Sequence, residues 1–173
     1  MSNSALIVID MLNDFVSPDG ALYVGDTVKH IIPEIQKKIS KYRADADPVI
    51  YLCDSHAEDD KEFEMFPPHC IANGKGAEIY KDLRPNAGET IVYKTRFSGF
   101  FNTNLDAILK EKNLDAIELC GVCTNICVLY TCADARMRGY NVTVDRRCVD
   151  SFDRAAHEFA LKEMERVLGA KII

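Results

Sequence analysis

Short apolar runs recur along this chain, separated by amphipathic or polar stretches, and that alternation limits the folds open to it. "ALIVID" (5–10), "DPVIYLC" (47–53), "ETIVYK" (89–94), "LDAIELC" (114–120) and "YNVTVD" (140–145) have the length of strands. The first is apolar at nearly every position, as expected of a strand buried on both faces. Between them, 27–44, 102–113, 124–140 and 153–170 read as helices. "GAEIYKDL" (76–83) predicts a short helix and "AKII" (170–173) a short sixth strand. Thr124 stands where an N-cap belongs, and Gly139 and Gly169 stand where helices should stop. Strands alternating with helices require right-handed crossovers. The expected fold is therefore α/β: a three-layer sandwich with a mostly parallel, about six-stranded sheet flanked by helices.

At 173 residues the chain is expected to form a single domain over 1–173, long enough for a sizeable core. No internal repeat, low-complexity tract or linker interrupts it. A net charge of -6 gives no electrostatic reason to bind nucleic acid or an anionic membrane. No apolar run approaches the roughly 20 residues of a membrane span. The opening "MSNSALIVIDML" lacks a basic region and a cleavage-site pattern, so no signal peptide is expected. Seven cysteines without small-scaffold spacing read as reduced thiols, most of them core residues of a cytoplasmic protein.

Open parallel sheets carry their chemistry beyond the carboxyl ends of the strands. Asp10 closes the first predicted strand, Asp54 and His56 follow the second, and Lys94 closes the third. "GVCTNIC" (121–127) follows the fourth and opens a helix. Cys127 then falls in a first helical turn, where the dipole and a nearby cation favour a thiolate. Lys94 can supply the cation, Asp10 can take the thiol proton, and first-turn N–H groups can hold an oxyanion. Taken singly, each has a plainer reading: a turn aspartate, a solvated lysine, a core cysteine. Only their joint arrangement favours catalysis. "CGVC" (120–123) has the spacing of a redox pair, but its first cysteine ends a strand and no aromatic or proline context supports that use. A cysteine zinc site would need a second pair of ligands, and none is evident.

"DSHAEDDKEFEMFPPHC" (54–70) holds two of the four histidines. Asp54, His56 and His69 offer a mixed N/O ligand set suited to Zn, Mn or Fe. The same residues also suit a polar loop without metal. The double proline restricts the loop by fixing two φ angles. His30 and His157 fall on predicted helices, as surface or core residues.

"LIVIDMLNDF" (6–15), "KTRFSGF" (94–100) and "LCGVCTNICVLYTCADA" (119–135) resemble the isochorismatase-like cysteine hydrolases, and "CDSHAEDD…FPPHC" (53–70) narrows the resemblance to the nicotinamidases among them. It runs from Leu6 to about Gly169. The resemblance implies an isochorismatase-like, Rossmann-like form of the sandwich. It implies Cys127 as nucleophile, Asp10 as general acid/base and Lys94 as the third member of a triad. Asp54, His56 and His69 match ligands of one divalent metal ion, Zn first. Glu62 takes the place of a glutamate found in some members, with Glu64 close by. Phe15, Phe66 and Phe97 match aromatic walls for a flat ring. Backbone N–H groups of Cys123 and Cys127 match an oxyanion hole, with a cis peptide at Val122–Cys123. Asn125 stands where the family often has Asp, and the loop between His56 and His69 is shorter than in several members. The implied reaction hydrolyses nicotinamide to nicotinic acid and ammonia, in salvage of NAD breakdown products. Family members often form dimers or larger rings.

Two other readings stand beside this one. The triad also suits another small amide, a pyrazinamide-like ring or an N-carbamoyl compound; the D-x-H and P-P-H pattern argues against a metal-free carbamoyl hydrolase. A redox-responsive or metal-storing binding module is the non-enzyme reading, and it leaves Asp10 and Lys94 unexplained.

Overall fold

The computed structural model describes residues 3–173. Six strands form one sheet in the order β3-β2-β1-β4-β5-β6, and every pair is parallel. The strands are β1 (Ser4–Ile9), β2 (Val49–Asp54), β3 (Thr90–Lys94), β4 (Ala116–Val122), β5 (Asn141–Asp150) and β6 (Lys171–Ile172). β1 sits at the centre and shows why its sequence is continuously apolar. Ala5, Ile7 and Ile9 enter the core on one face, and Leu6 and Val8 enter the core on the other. The period-two alternation of a strand thus feeds two separate cores.

One face is covered by α2 (Val28–Ala44), the other by α3 (Leu105–Glu111), α4 (Leu129–Met137) and α5 (Arg154–Arg166). In α2 the buried residues Val28, Ile31, Ile35, Ile39 and Tyr42 recur at three- and four-residue steps, giving one apolar stripe. Asp153 caps α5, its carboxylate accepting from Ala155 N at 2.7 Å and Ala156 N at 3.1 Å. A one-turn helix, α1 (Asn13–Val16), follows β1 and carries the buried Phe15. Among the described residues no helix is long and apolar enough to cross a membrane.

Several boundaries differ from the sequence reading. The predicted helix over 76–83 is absent; two 3₁₀ turns, Lys75–Ala77 and Lys81–Leu83, stand there instead. The eight residues bridge α1 and α2, with Leu12 pairing Ile79 and Tyr80 N donating to Met11 O, and this tethering leaves no free helical turn. β5 runs on to Asp150, because a register shift against β4 between Leu119 and Gly121 lets pairing resume at Val149. The predicted helix over 124–140 begins as a π turn, Thr124–Val128, before α4. Thr124 makes no cap, since its hydroxyl is engaged elsewhere.

The strand order reverses direction between β1 and β4, the position where open parallel sheets leave a crevice. Gly121 shapes that crevice. Its φ is +114°, and a Cβ there would lie 2.0 Å from Ile9 O. Close backbone approach of β4 to β1 therefore requires glycine. Gly121→Ala is expected to cost about 3 kcal/mol or more in stability, read as a fall in the urea midpoint.

Candidate active site

Four strand ends supply the crevice. β1 stops at Ile9, one residue short of the expected end, and Asp10 follows with φ +50°. That left-handed turn, tolerated by aspartate, redirects the chain just past the sheet. Asp10 is held by its own N–H, which donates to Leu52 O at 2.9 Å, and by Asp54 N, which donates to Asp10 Oδ1 at 2.9 Å. Lys94, last residue of β3, projects a fully buried ammonium between them. Its Nζ lies 2.8 Å from Asp10 Oδ2, donates a short hydrogen bond to Asp54 Oδ1 and donates to Cys127 Sγ at 3.4 Å. Oxygens of Asp10 and Asp54 and the sulfur of Cys127 lie within 4.8 Å of one another.

Burial shifts every charge in this group. It pushes Asp10 up to about 6, with the Asp54 charge adding to the rise and Lys94 opposing it. Burial also opposes ionisation of Asp54, but Lys94 and His56 outweigh it and hold that carboxyl below its ordinary value. Lys94 loses solvation too, yet the two carboxylates keep it well above the usual lysine range. Desolvation drives the Cys127 thiol well above its ordinary value, although Lys94 pulls it down. Burial thus opposes ionisation of the Cys127 sulfur, the Lys94 ammonium beside it favours the thiolate, and Asp10 stands next to both.

Cys127 sits inside the π turn rather than in the first turn of an α-helix. Ile126 N and Val128 N both donate to Cys123 O, at 3.0 and 3.2 Å. The peptide Val122–Cys123 is cis. Thr124 Oγ1 lies 2.8 Å from Nδ1 of His157, a buried residue of α5, and ties the turn to the helix behind it. Ser151 Oγ donates a short hydrogen bond to Asn125 Oδ1 on the other side.

The metal-type residues converge beside Lys94. Asp54, His56, Glu62 and His69 are all buried. His56 Nε2 lies 3.7 Å from Asp54 Oδ2 and 4.0 Å from Glu62 Oε1; His69 Nε2 lies 3.9 and 3.8 Å from the same two atoms. These separations are too long for hydrogen bonds. They approach the edge of about 3.4 Å expected for a tetrahedron with ligands roughly 2.1 Å from zinc. Among the described residues His56 Nε2 has no hydrogen-bond partner, and neither does Glu62 Oε2. A buried imidazole nitrogen aimed at two carboxylates and a second imidazole fits a divalent cation. Of the two glutamates, Glu62 is buried and lies in this cluster, whereas Glu64 is exposed. Burial first, and then the Asp54 charge, push the Glu62 carboxyl up.

A narrow pocket lies between the two groups. Phe15, Phe66 and Phe97 line it together with Asp54, Glu62, His69, Cys123 and Cys127. Phe66 meets Phe97 edge-on at 6.2 Å, and Phe15 meets His69 at 5.6 Å. Leu22, Ile126 and Phe152 also line it and escaped the sequence reading. Phe152 follows the long β5, whose end the sequence did not reveal. A larger open groove of ≈ 750 Å³ runs along the edge strand β3 but holds none of the acid, lysine, histidine or nucleophile candidates. His30 is exposed and lies away from the cavity, whereas His157 acts through Thr124.

The isochorismatase domain matches this chain over residues 4–173. The chain belongs to the isochorismatase family. PncA of Bacillus subtilis (strain 168), an uncharacterized isochorismatase family protein, is 37% identical over 97% of each chain. The structure of a pyrazinamidase/nicotinamidase from Streptococcus mutans UA159 has a TM-score of 0.92 at 36% identity, covering 98% of this chain and 99% of that one. A pyrazinamidase of Pyrococcus horikoshii in complex with zinc has a TM-score of 0.92 at 33% identity, covering 99% of this chain and 98% of that one. The isochorismatase-like α/β sandwich expected from the motifs is thus the fold observed.

Thr124→Val removes the partner of a buried imidazole nitrogen. The expected loss is about 1–3 kcal/mol of stability, measured by chemical denaturation.

Proposed function

We propose that this family member is a metal-dependent amidohydrolase that converts nicotinamide to nicotinic acid and ammonia through a cysteine thioester. The observation that carries the reading is one ammonium, Lys94, bonded both to the carboxylate of the Asp54/His56/Glu62/His69 cluster and to the sulfur of Cys127. The nucleophile and three of the four donors, Asp54, Glu62 and His69, thus face one aromatic-walled pocket. Names of the similar proteins, nicotinamidase and pyrazinamidase among them, support the substrate class.

Asp10 takes the Cys127 proton as the sulfur attacks the carboxamide carbon. Its raised pKa suits a base that must accept and return a proton near neutral pH. Lys94 stabilises the ion pair formed in that step, because its charge already lies between the two groups. The N–H groups of Cys123 and Cys127 receive the tetrahedral oxyanion. Asp10 then protonates the departing ammonia, and water deprotonated by Asp10 hydrolyses the thioester. Phe15, Phe66 and Phe97 hold the ring. Asp54, His56, Glu62 and His69 would hold the ion, Zn before Mn or Fe on this ligand set. When bound, the ion supplies a Lewis-acid anchor for the pyridine nitrogen. The reaction would serve the salvage of NAD breakdown products in the cytoplasm.

Cys127→Ala tests the nucleophile. Nicotinamide turnover should fall at least about 10⁴-fold, with the circular-dichroism spectrum and unfolding midpoint near those of the wild type. Turnover within tenfold of wild type would remove Cys127 from the mechanism.

A further inference from the structure

Asp60 belongs neither to the triad nor to the four donors, yet it holds two of those donors, His56 and Glu62, and Arg96 beside them. Its Oδ2 lies 3.1 Å from His56 Nδ1. Its Oδ1 accepts from Glu62 N at 2.8 Å and from Arg96 Nη1 at 2.9 Å. The side chain is 9% exposed. Paired with a guanidinium, this carboxylate can only accept hydrogen bonds. The proton of neutral His56 must then sit on Nδ1, and the Nε2 lone pair must face Asp54 and Glu62.

His69 reaches the same state by another device. Its Nδ1 lies 2.8 Å from Pro67 O, a carbonyl that can only accept. Both imidazoles therefore present Nε2 lone pairs to the cluster. One is fixed by the backbone and the other by a replaceable side chain. Arg96 extends the link, because it stands two residues beyond Lys94 and one before Phe97. Its guanidinium also lies 3.9 Å from Glu62 Oε2. Asp60 thus joins the loop bearing the metal-type residues to the exit of β3.

We propose that Asp60 is a positioning residue that fixes the His56 tautomer and thereby sets the affinity of the cluster for a divalent ion. This rests on the metal-site reading above. Carboxylates behind ligating histidines commonly act in this way.

The test uses Asp60→Asn in the full chain at pH 8, with zinc itself as the probe. The amide oxygen can keep the two donors at Glu62 and Arg96. The amide NH₂ then faces His56 Nδ1 and requires a lone pair there, which sends the proton to Nε2. Zinc affinity, read by competition with a chromophoric chelator, should weaken by about 10–100-fold. Long-range ¹H–¹⁵N spectra of the metal-free proteins should show His56 as Nδ1–H in the wild type and as Nε2–H in the variant. A merely structural role would lower the unfolding midpoint without moving the tautomer. A loss of affinity below tenfold overturns the proposal. So does a metal-free wild type whose His56 already carries its proton on Nε2, a result that decides the matter even if the variant fails to fold. A wild type that does not bind zinc overturns the metal-site reading as well, and so separates the two failures.

Discussion

The buried Lys94 ammonium is the interaction on which the arrangement of this site depends. An unpaired ammonium at full burial would cost several kcal/mol, so the ends of β1 and β2 must bring carboxylates to it. Asp10 and Asp54 do so, and each is fixed to the other by the Asp54 N–H to Asp10 Oδ1 bond. The lysine in turn has one remaining direction, toward Cys127. Three strand ends and one helical turn are thereby locked around a single charge. The metal-type cluster is the far side of the same network, because Asp54 serves both.

That network needs the crossover point of a parallel sheet. β1 and β4 are adjacent there while the connections after them leave in opposite directions. Gly121 permits the close approach, and the π turn after it places Cys127 back over the strand ends. His157 braces the turn from α5 through Thr124. The apolar faces supply rigidity: the two cores meet at β1, so a shift at the site would disturb both.

Much of this was legible in the residues. β1, β2 and β4 announced themselves because strands buried on both faces are nearly continuously apolar, and the edge strand β3, exposed at Ile91 and Tyr93, still showed as a short apolar run; their ends located Asp10, Asp54, Lys94 and Cys127. The pairing of D-x-H with P-P-H pointed to the ligand loop. What escaped the sequence depended on tertiary contact. The 76–83 segment has helical composition, but its backbone is used by Leu12 and Met11. The extension of β5 required a register shift that no periodicity marks. Phe152 lines the cavity only because of that extension. Asp60 looks like one more acid in a charged loop until His56, Glu62 and Arg96 are seen around it. Dipole arguments consider one helix end, whereas burial acts on the Cys127 sulfur from all sides.

The central claim is that one cavity joins a cysteine nucleophile to a metal-anchored pyridine amide. Ammonia release from nicotinamide by the zinc-loaded protein, before and after chelation and again after zinc is restored, tests it most directly. Release that stops with chelation and returns with zinc is the predicted result. Absence of ammonia from the zinc-loaded protein, or release that chelation leaves unchanged, would contradict it.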